Sequence, residues 1–143
     1  TLFKTKNGTP FTSVICYEVL FSSFVRDFLN AQEMPAQFLV NLTNDSWYGD
    51  TAEPHQHLFL AKWRALEFNI PIIRSTNTGI TTLIMPDGSE SDRLTFEEKK
   101  NLDFELLLRE RTSTIYQRFG LWMLLSLSAF FYILQRTYQK LRI

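Results

Sequence analysis

A single cysteine, Cys16, stands among the 143 residues, so no intrachain disulfide framework holds the fold. Histidine is almost as scarce. His55 and His57 are the only two, a spacing that puts them on different sides of a helix, and no second Cys or His cluster is available to build a metal site. An excess of one charge is missing too. Lys plus Arg and Asp plus Glu each number 15, which leaves no basic surplus of the kind a nucleic-acid binder turns toward phosphates. The chain carries no internal repeat, low-complexity tract or signal peptide. It opens on Thr1 rather than Met, which points to a fragment or a processed product.

What is present is the material for a core. Hydrophobic residues make up 45%, including 13 Phe, enough for one modest domain and too many for general disorder. Residues 4–10 are polar turn formers, and residues 11–16 read as a short β-branched strand. Val19, Leu20, Phe21, Phe24, Val25, Phe28 and Leu29 recur at three-to-four spacing, which predicts an amphipathic helix. After a break at 32–35, residues 37–42 read as a second buried strand and 43–54 as a loop. A helix is expected over 54–69, with Leu60, Trp63 and Leu66 on one face. Strands at 71–75 and 80–84 and a turn at Pro86-Asp87-Gly88-Ser89 follow. That order predicts an α/β sheet with parallel pairing in its first part. Residues 91–118 are highly charged, with weaker strands near 94–96 and 102–108.

Residues 119–134 carry no charge. A bilayer core needs about 20 predominantly apolar residues, so the run is short but workable. Trp122 and Tyr132 lie near its ends, as interfacial residues do. A buried core helix is the alternative, but a small domain has few places to bury a helix apolar on every side. The expectation is a transmembrane helix over 119–135, after a juxtamembrane linker at 113–118 and before a basic tail at 136–143. Arg136, Lys140 and Arg142 then put the C-terminus in the cytoplasm and the α/β part outside it, although Arg109, Arg111 and Arg118 pull the other way. A lone thiol kept in a disulfide-favouring compartment has a stronger claim to chemistry.

Cys16 sits where a strand gives way to a helix, a place where several α/β enzymes present a nucleophile. Its ordinary role would be that of a small buried hydrophobe. As a nucleophile it needs a base or a cation close by. Glu18 is two residues away and is expected to orient the turn by accepting backbone N–H bonds. A helix beginning just after Cys16 would offer N-terminal amides to a thiolate and an oxyanion. Residues 41–50 should reach the same sheet edge if the two strands are parallel neighbours. Their polar groups would orient a substrate while Trp47 and Tyr48 wall an apolar pocket, or they form an Asx-rich turn. Arg64 and Glu67, three apart on a helix, are expected to pair, and with Arg74 they read as structural.

Five segments together resemble the carbon–nitrogen hydrolase (nitrilase) family: Ile15-Cys16-Tyr17-Glu18, residues 43–50 (Thr-Asn-Asp-Ser-Trp-Tyr-Gly-Asp), Pro54-His55-Gln56-His57, Arg64-Ala65-Leu66-Glu67, and residues 74–79 (Arg-Ser-Thr-Asn-Thr-Gly). With residues 114–120 before a terminal hydrophobic helix, the chain resembles more narrowly the C-terminal part of the bacterial apolipoprotein N-acyltransferase family. The likeness spans roughly residues 8 to 135. It implies a partial α-β-β-α sandwich over 1–112 and a Glu-Lys-Cys triad, with Cys16 on the nucleophile position and Tyr17, Glu18 and Trp47 around the active site. No cofactor and no metal are implied. The implied substrates are a phospholipid acyl donor and the lipid-modified N-terminal cysteine of an apolipoprotein, at the bacterial inner membrane with the catalytic domain facing the periplasm. The family's Glu and Lys lie upstream of its Cys, in a stretch these residues do not contain, so the chain is expected to be inactive without that N-terminal region. A tethered amidase that uses water, and a non-catalytic split or degenerate subunit, are the alternatives.

Overall fold

The computed structural model describes residues 1–96, 98–109 and 111–141. Six strands form one mixed sheet in sequence order: β1 (Leu2–Lys4), β2 (Pro10–Ile15), β3 (Phe38–Thr43), β4 (Ile72–Thr76), β5 (Thr81–Ile84) and β6 (Glu90–Leu94). β2, β3 and β4 pair in parallel, and β1, β5 and β6 join antiparallel. The parallel pairs require crossovers, supplied by α1 (Ser22–Asn30) and α2 (Glu53–Phe68). This is the α/β order expected of the sequence, with β1 added. Three residues carry too little periodicity to announce a strand, and β1 exists because its register partners Thr12, Phe11 and Pro10 give it a hairpin.

Both helices cover the same sheet face. Val14, Leu39, Ile72 and Ile84 on that face are fully buried with Val25, Ala61, Ala65 and Phe68 from the helices. Each large apolar side chain buried in this way contributes about 1.5–3 kcal/mol. The face of α2 that turns inward differs from the one its largest side chains suggested. Leu60, Trp63 and Leu66 are 37–47% exposed, while Ala61, Ala65, Leu58 and Phe68 lie inward. Alanines let the helix approach the sheet closely, and the bulkier row is left outside. α1 also starts later than its pattern suggested, because Phe21 is extended (φ −90°, ψ 96°) and separates it from a 3-10 turn over Cys16–Leu20.

Of the weaker strands, 94–96 overlaps the end of β6 and 102–108 forms none. Within the stretch read as a linker, α3 (Ile115–Phe119) docks on α1. Arg26 Nε donates to the Gln117 carbonyl at 3.0 Å, and Gln117 Nε2 donates to Asn30 Oδ1 at 3.0 Å.

The expected transmembrane helix is corrected by α4 (Trp122–Leu141). Among the described residues no helix is long and apolar enough to cross a membrane. Gly120, at φ 57°, separates α4 from α3, so residues 119–121 do not lengthen it. Only residues 122–134 are then free of charged and amide side chains, about 20 Å of helix against a hydrocarbon core of about 30 Å. Gln135, Arg136, Gln139 and Lys140 fill the rest. The orientation drawn from the basic tail loses its basis with the span, and Arg142 lies outside the described residues.

Candidate active site

The C-terminal ends of parallel strands gather side chains from separate parts of a chain at one edge. Here Ile15 at the end of β2 is registered against Leu42 in β3, and Leu42 against Ser75 in β4. Cys16, the loop after β3 and the loop after β4 therefore share one edge, as the parallel pairing required.

Cys16 is half-buried and carries no disulfide. Its φ is +50°, a left-handed conformation uncommon outside glycine and a marker of strain that the surroundings must hold. Glu18 fixes one side of this turn: its Oε2 accepts the Ile15 N–H at 2.7 Å, the orienting role expected of it. The helix amides expected behind the thiol are not there, since only the 3-10 turn follows and α1 begins at Ser22.

Tyr17 packs against α2. Its ring stacks on His57 with centroids 5.2 Å apart, and its hydroxyl donates to Glu53 Oε1 at 3.0 Å and meets the Tyr48 hydroxyl. Partial loss of water raises the Tyr48 phenol above its ordinary range, helped by the charges of Glu53 and Cys16. Trp47 is 82% exposed and walls no pocket with Tyr48. In this loop Asp45 alone is fully buried, while Asn44, Ser46 and Trp47 face solvent.

Among the groups behind this edge, Asn41 and Asp45 belong to the stretch 41–50 expected here to orient a substrate, and Arg74 is the one read as structural. Val14, Asn41, Arg74 and Thr82 make one row across β2, β3, β4 and β5, and all four are fully buried. Arg74 Nη1 donates to Asn41 Oδ1 and Nη2 to Asp45 Oδ2, each at 2.7 Å. Asp45 Oδ1 accepts from Thr43 Oγ1 at 3.1 Å and lies 3.2 Å from His57 Nδ1. Burial alone would raise the Asp45 carboxyl, but the His57 hydrogen bond and the Arg74 charge outweigh it and hold it below its ordinary range. Burial also pulls Arg74 down, against the attraction of Asp45. Glu53 goes the other way, raised chiefly by burial.

Gly79 closes the network from the loop after β4. A Cβ there would stand 2.2 Å from Asp45 Oδ2, so only glycine lets this loop lie on the carboxylate. Asn77 fastens the same two loops, accepting the Asp45 N–H at 3.2 Å and donating to Asn44 Oδ1 at 2.6 Å. One signal for this network was open in the sequence: an arginine inside the apolar strand Ile72-Ile73-Arg74 must find a buried anion. Arg64 and Glu67 pair at 3.0 Å, as expected, and Arg64 also donates to the Leu20 carbonyl at 3.1 Å.

Asp45, Glu53 and His57 each bring a ligand atom within 4.8 Å of the others, which makes them the described group most like a metal site. The Asp45 carboxylate is already committed to the Arg74 guanidinium at 2.7 Å. A divalent cation on the same carboxylate would be repelled by that fixed charge, so the positive charge at Asp45 is the guanidinium's.

The sequence model of the carbon–nitrogen hydrolase family matches residues 1–116. The chain is 38% identical over 122 residues to the apolipoprotein N-acyltransferase of Haemophilus ducreyi, covering 85% of this chain and 24% of that protein. It is 39% identical to that of Bdellovibrio bacteriovorus over 76% of this chain and 19% of that protein. Against the Ralstonia nicotianae protein of the same name identity is 48%, over 56% of this chain and 15% of that one. The chain thus spans a quarter or less of these relatives. Among solved structures, an amidase from Nesterenkonia sp. superposes with a TM-score of 0.52 at 21% identity, covering 68% of this chain and 37% of that one, a likeness of fold.

Proposed function

The chain belongs to the carbon–nitrogen hydrolase family, and from that premise we propose that it carries the nucleophile of an apolipoprotein N-acyltransferase. Supporting this are the relatives of that name at 38–48% identity. The observation that carries it is the left-handed Cys16 at the end of β2, a half-buried thiol on the edge where three parallel strands end.

In the first half-reaction the Cys16 thiolate attacks the ester carbonyl of a phospholipid. The acyl–oxygen bond breaks, the glycerol oxygen leaves with the proton that the thiol gave to the triad base, and a thioester remains on Sγ. In the second, the α-amino group of the lipid-modified N-terminal cysteine of an apolipoprotein attacks that thioester. An amide forms, sulfur departs as thiolate and the amine loses its proton. Splitting the transfer in two is the usual gain of covalent catalysis. Tyr17, Glu18 and Trp47 stand around this step, Glu18 holding the turn and Trp47 free to meet lipid. The reaction belongs at the bacterial inner membrane, where the acyl donor is.

The resemblance assigns the base and the lysine of the triad to no residue of this chain. We therefore expect the purified 143 residues to be inactive, and activity to require those groups in cis or in trans. Acyl transfer from a labelled phospholipid to a lipopeptide by the chain alone would refute that expectation. A second reading, an amidase that passes the acyl group to water, is favoured by the solved neighbours. One of them, a variant of the Nesterenkonia amidase, shows covalent addition of an acetamide moiety at its active-site cysteine. A lipopeptide that gains no acyl chain while fatty acid is released would decide for it.

A further inference from the structure

The β2–β3 ladder ends at the Ile15–Leu42 pair, so the Cys16 carbonyl lies past the last register position, where a strand neighbour no longer supplies a donor. The 3-10 turn over Cys16–Leu20 gives that carbonyl a backbone donor three residues on and leaves its second lone pair open. The Asn41 side chain adds a second donor there: Nδ2 donates to the Cys16 carbonyl at 3.4 Å and to the Val14 carbonyl at 3.5 Å. Asn41 does this from within β3, fully buried.

The direction of that amide is not free. Arg74 has only donors, and its Nη1 occupies Asn41 Oδ1 at 2.7 Å, so the NH₂ end must face Cys16. Arg74 is in turn held by Asp45 at 2.7 Å, and Asp45 by Thr43, His57 and the close approach of Gly79. The sequence of contacts runs from a fixed ion pair, through one amide, to the carbonyl of the left-handed residue.

We propose that Asn41 is a positioning residue for the nucleophile, and that the Asp45–Arg74 pair serves the active site by aiming the Asn41 amide at the Cys16 carbonyl. This rests on the reading of Cys16 as the nucleophile. The amide acts on the backbone and touches no substrate, so its loss misplaces Sγ relative to the ester carbonyl. Misplacement of about an ångström is enough to slow a chemical step about a hundredfold, while binding of the lipid changes little.

The test is Asn41→Asp, which keeps the size and an oxygen for Arg74 but replaces the donor amide with a second acceptor. In a full-length acyltransferase carrying this sequence, kcat should fall about 10- to 100-fold with the phospholipid KM within about twofold. Alkylation of Cys16 by iodoacetamide in the 143-residue chain should slow as well. In the unmutated chain, labelled with ¹⁵N-asparagine, the Asn41 side-chain amide signals should shift when Cys16 is alkylated. A folded Asn41→Asp protein with unchanged kcat and alkylation rate overturns the inference, and so does an Asn41 amide signal that stays in place. If Asn41→Asp does not fold, the unmutated chain alone decides. Acyl transfer surviving in Cys16→Ser would instead refute the nucleophile, whatever Asn41 does.

Discussion

Arg74 on β4 and Asp45 in the loop after β3 face each other at 2.7 Å, with at most 1% of either side chain exposed. Two charges removed from water this completely are costly, and attraction offsets the cost only when the remaining hydrogen-bonding groups are met. Asn41, Thr43 and His57 meet most of them, although Arg74 Nε has no partner among the described residues. Deleting one member leaves the other buried and unpaired. Arg74→Met or Asp45→Ala should therefore lower stability by about 3–5 kcal/mol, read as the urea midpoint of the purified chain. A midpoint within error of the unmutated chain would contradict the arrangement.

Acid and base limbs of the stability curve should separate two carboxylates. Asp45 is held below its ordinary 3.8 by His57 and Arg74 against the effect of burial. Its contribution is present above that ordinary value and is lost as pH falls through the lower folded one. Glu53 is raised above 4.5, chiefly by burial, so its contribution is present below 4.5 and is lost as pH rises through the folded value. Urea midpoints between about pH 2 and pH 7 should show a flatter acid limb in Asp45→Asn and a flatter decline above 4.5 in Glu53→Gln. A Glu53→Gln curve parallel to that of the unmutated chain would show that this carboxyl is not desolvated.

Gly79→Ala tests the closure of the two loops. Its backbone is not left-handed, so the whole cost comes from a Cβ placed 2.2 Å from Asp45 Oδ2. Such overpacking typically costs about 1–3 kcal/mol. Gly49→Ala is the contrast, since Gly49 has φ +58° with nothing within 4 Å of its Cβ position. Its cost is conformational alone, of the order of 1 kcal/mol. Equal losses at both glycines would mean that the loop after β4 does not rest on Asp45.

The strands and helices were readable where apolar residues kept a period, as in Phe11–Ile15, Val25–Leu29 and Phe38–Val40. The segments that build the site were readable, but not the contacts between them. Cys16 announced itself by being alone and at a strand end, and Glu18 by lying two residues after it. Their network was hidden because Asn41, Asp45, His57 and Arg74 come from four elements, and their meeting is a matter of sheet register. The inward face of α2 was hidden for a different reason: Ala61 and Ala65 are less conspicuous than Trp63, yet closeness to the sheet favours the smaller side chain. For α4 the apolar run was plain, while Gly120 and Gln135, which bound it, decided its reach.

Intact-mass measurement of a full-length acyltransferase carrying this sequence, incubated with phospholipid and no lipopeptide, tests the central claim most directly. A gain of one acyl mass is predicted, removed by hydroxylamine, located on Cys16 by peptide mapping and absent in Cys16→Ser. Acyl transfer to the lipopeptide without any adduct on Cys16, or with Cys16→Ser fully active, would contradict it.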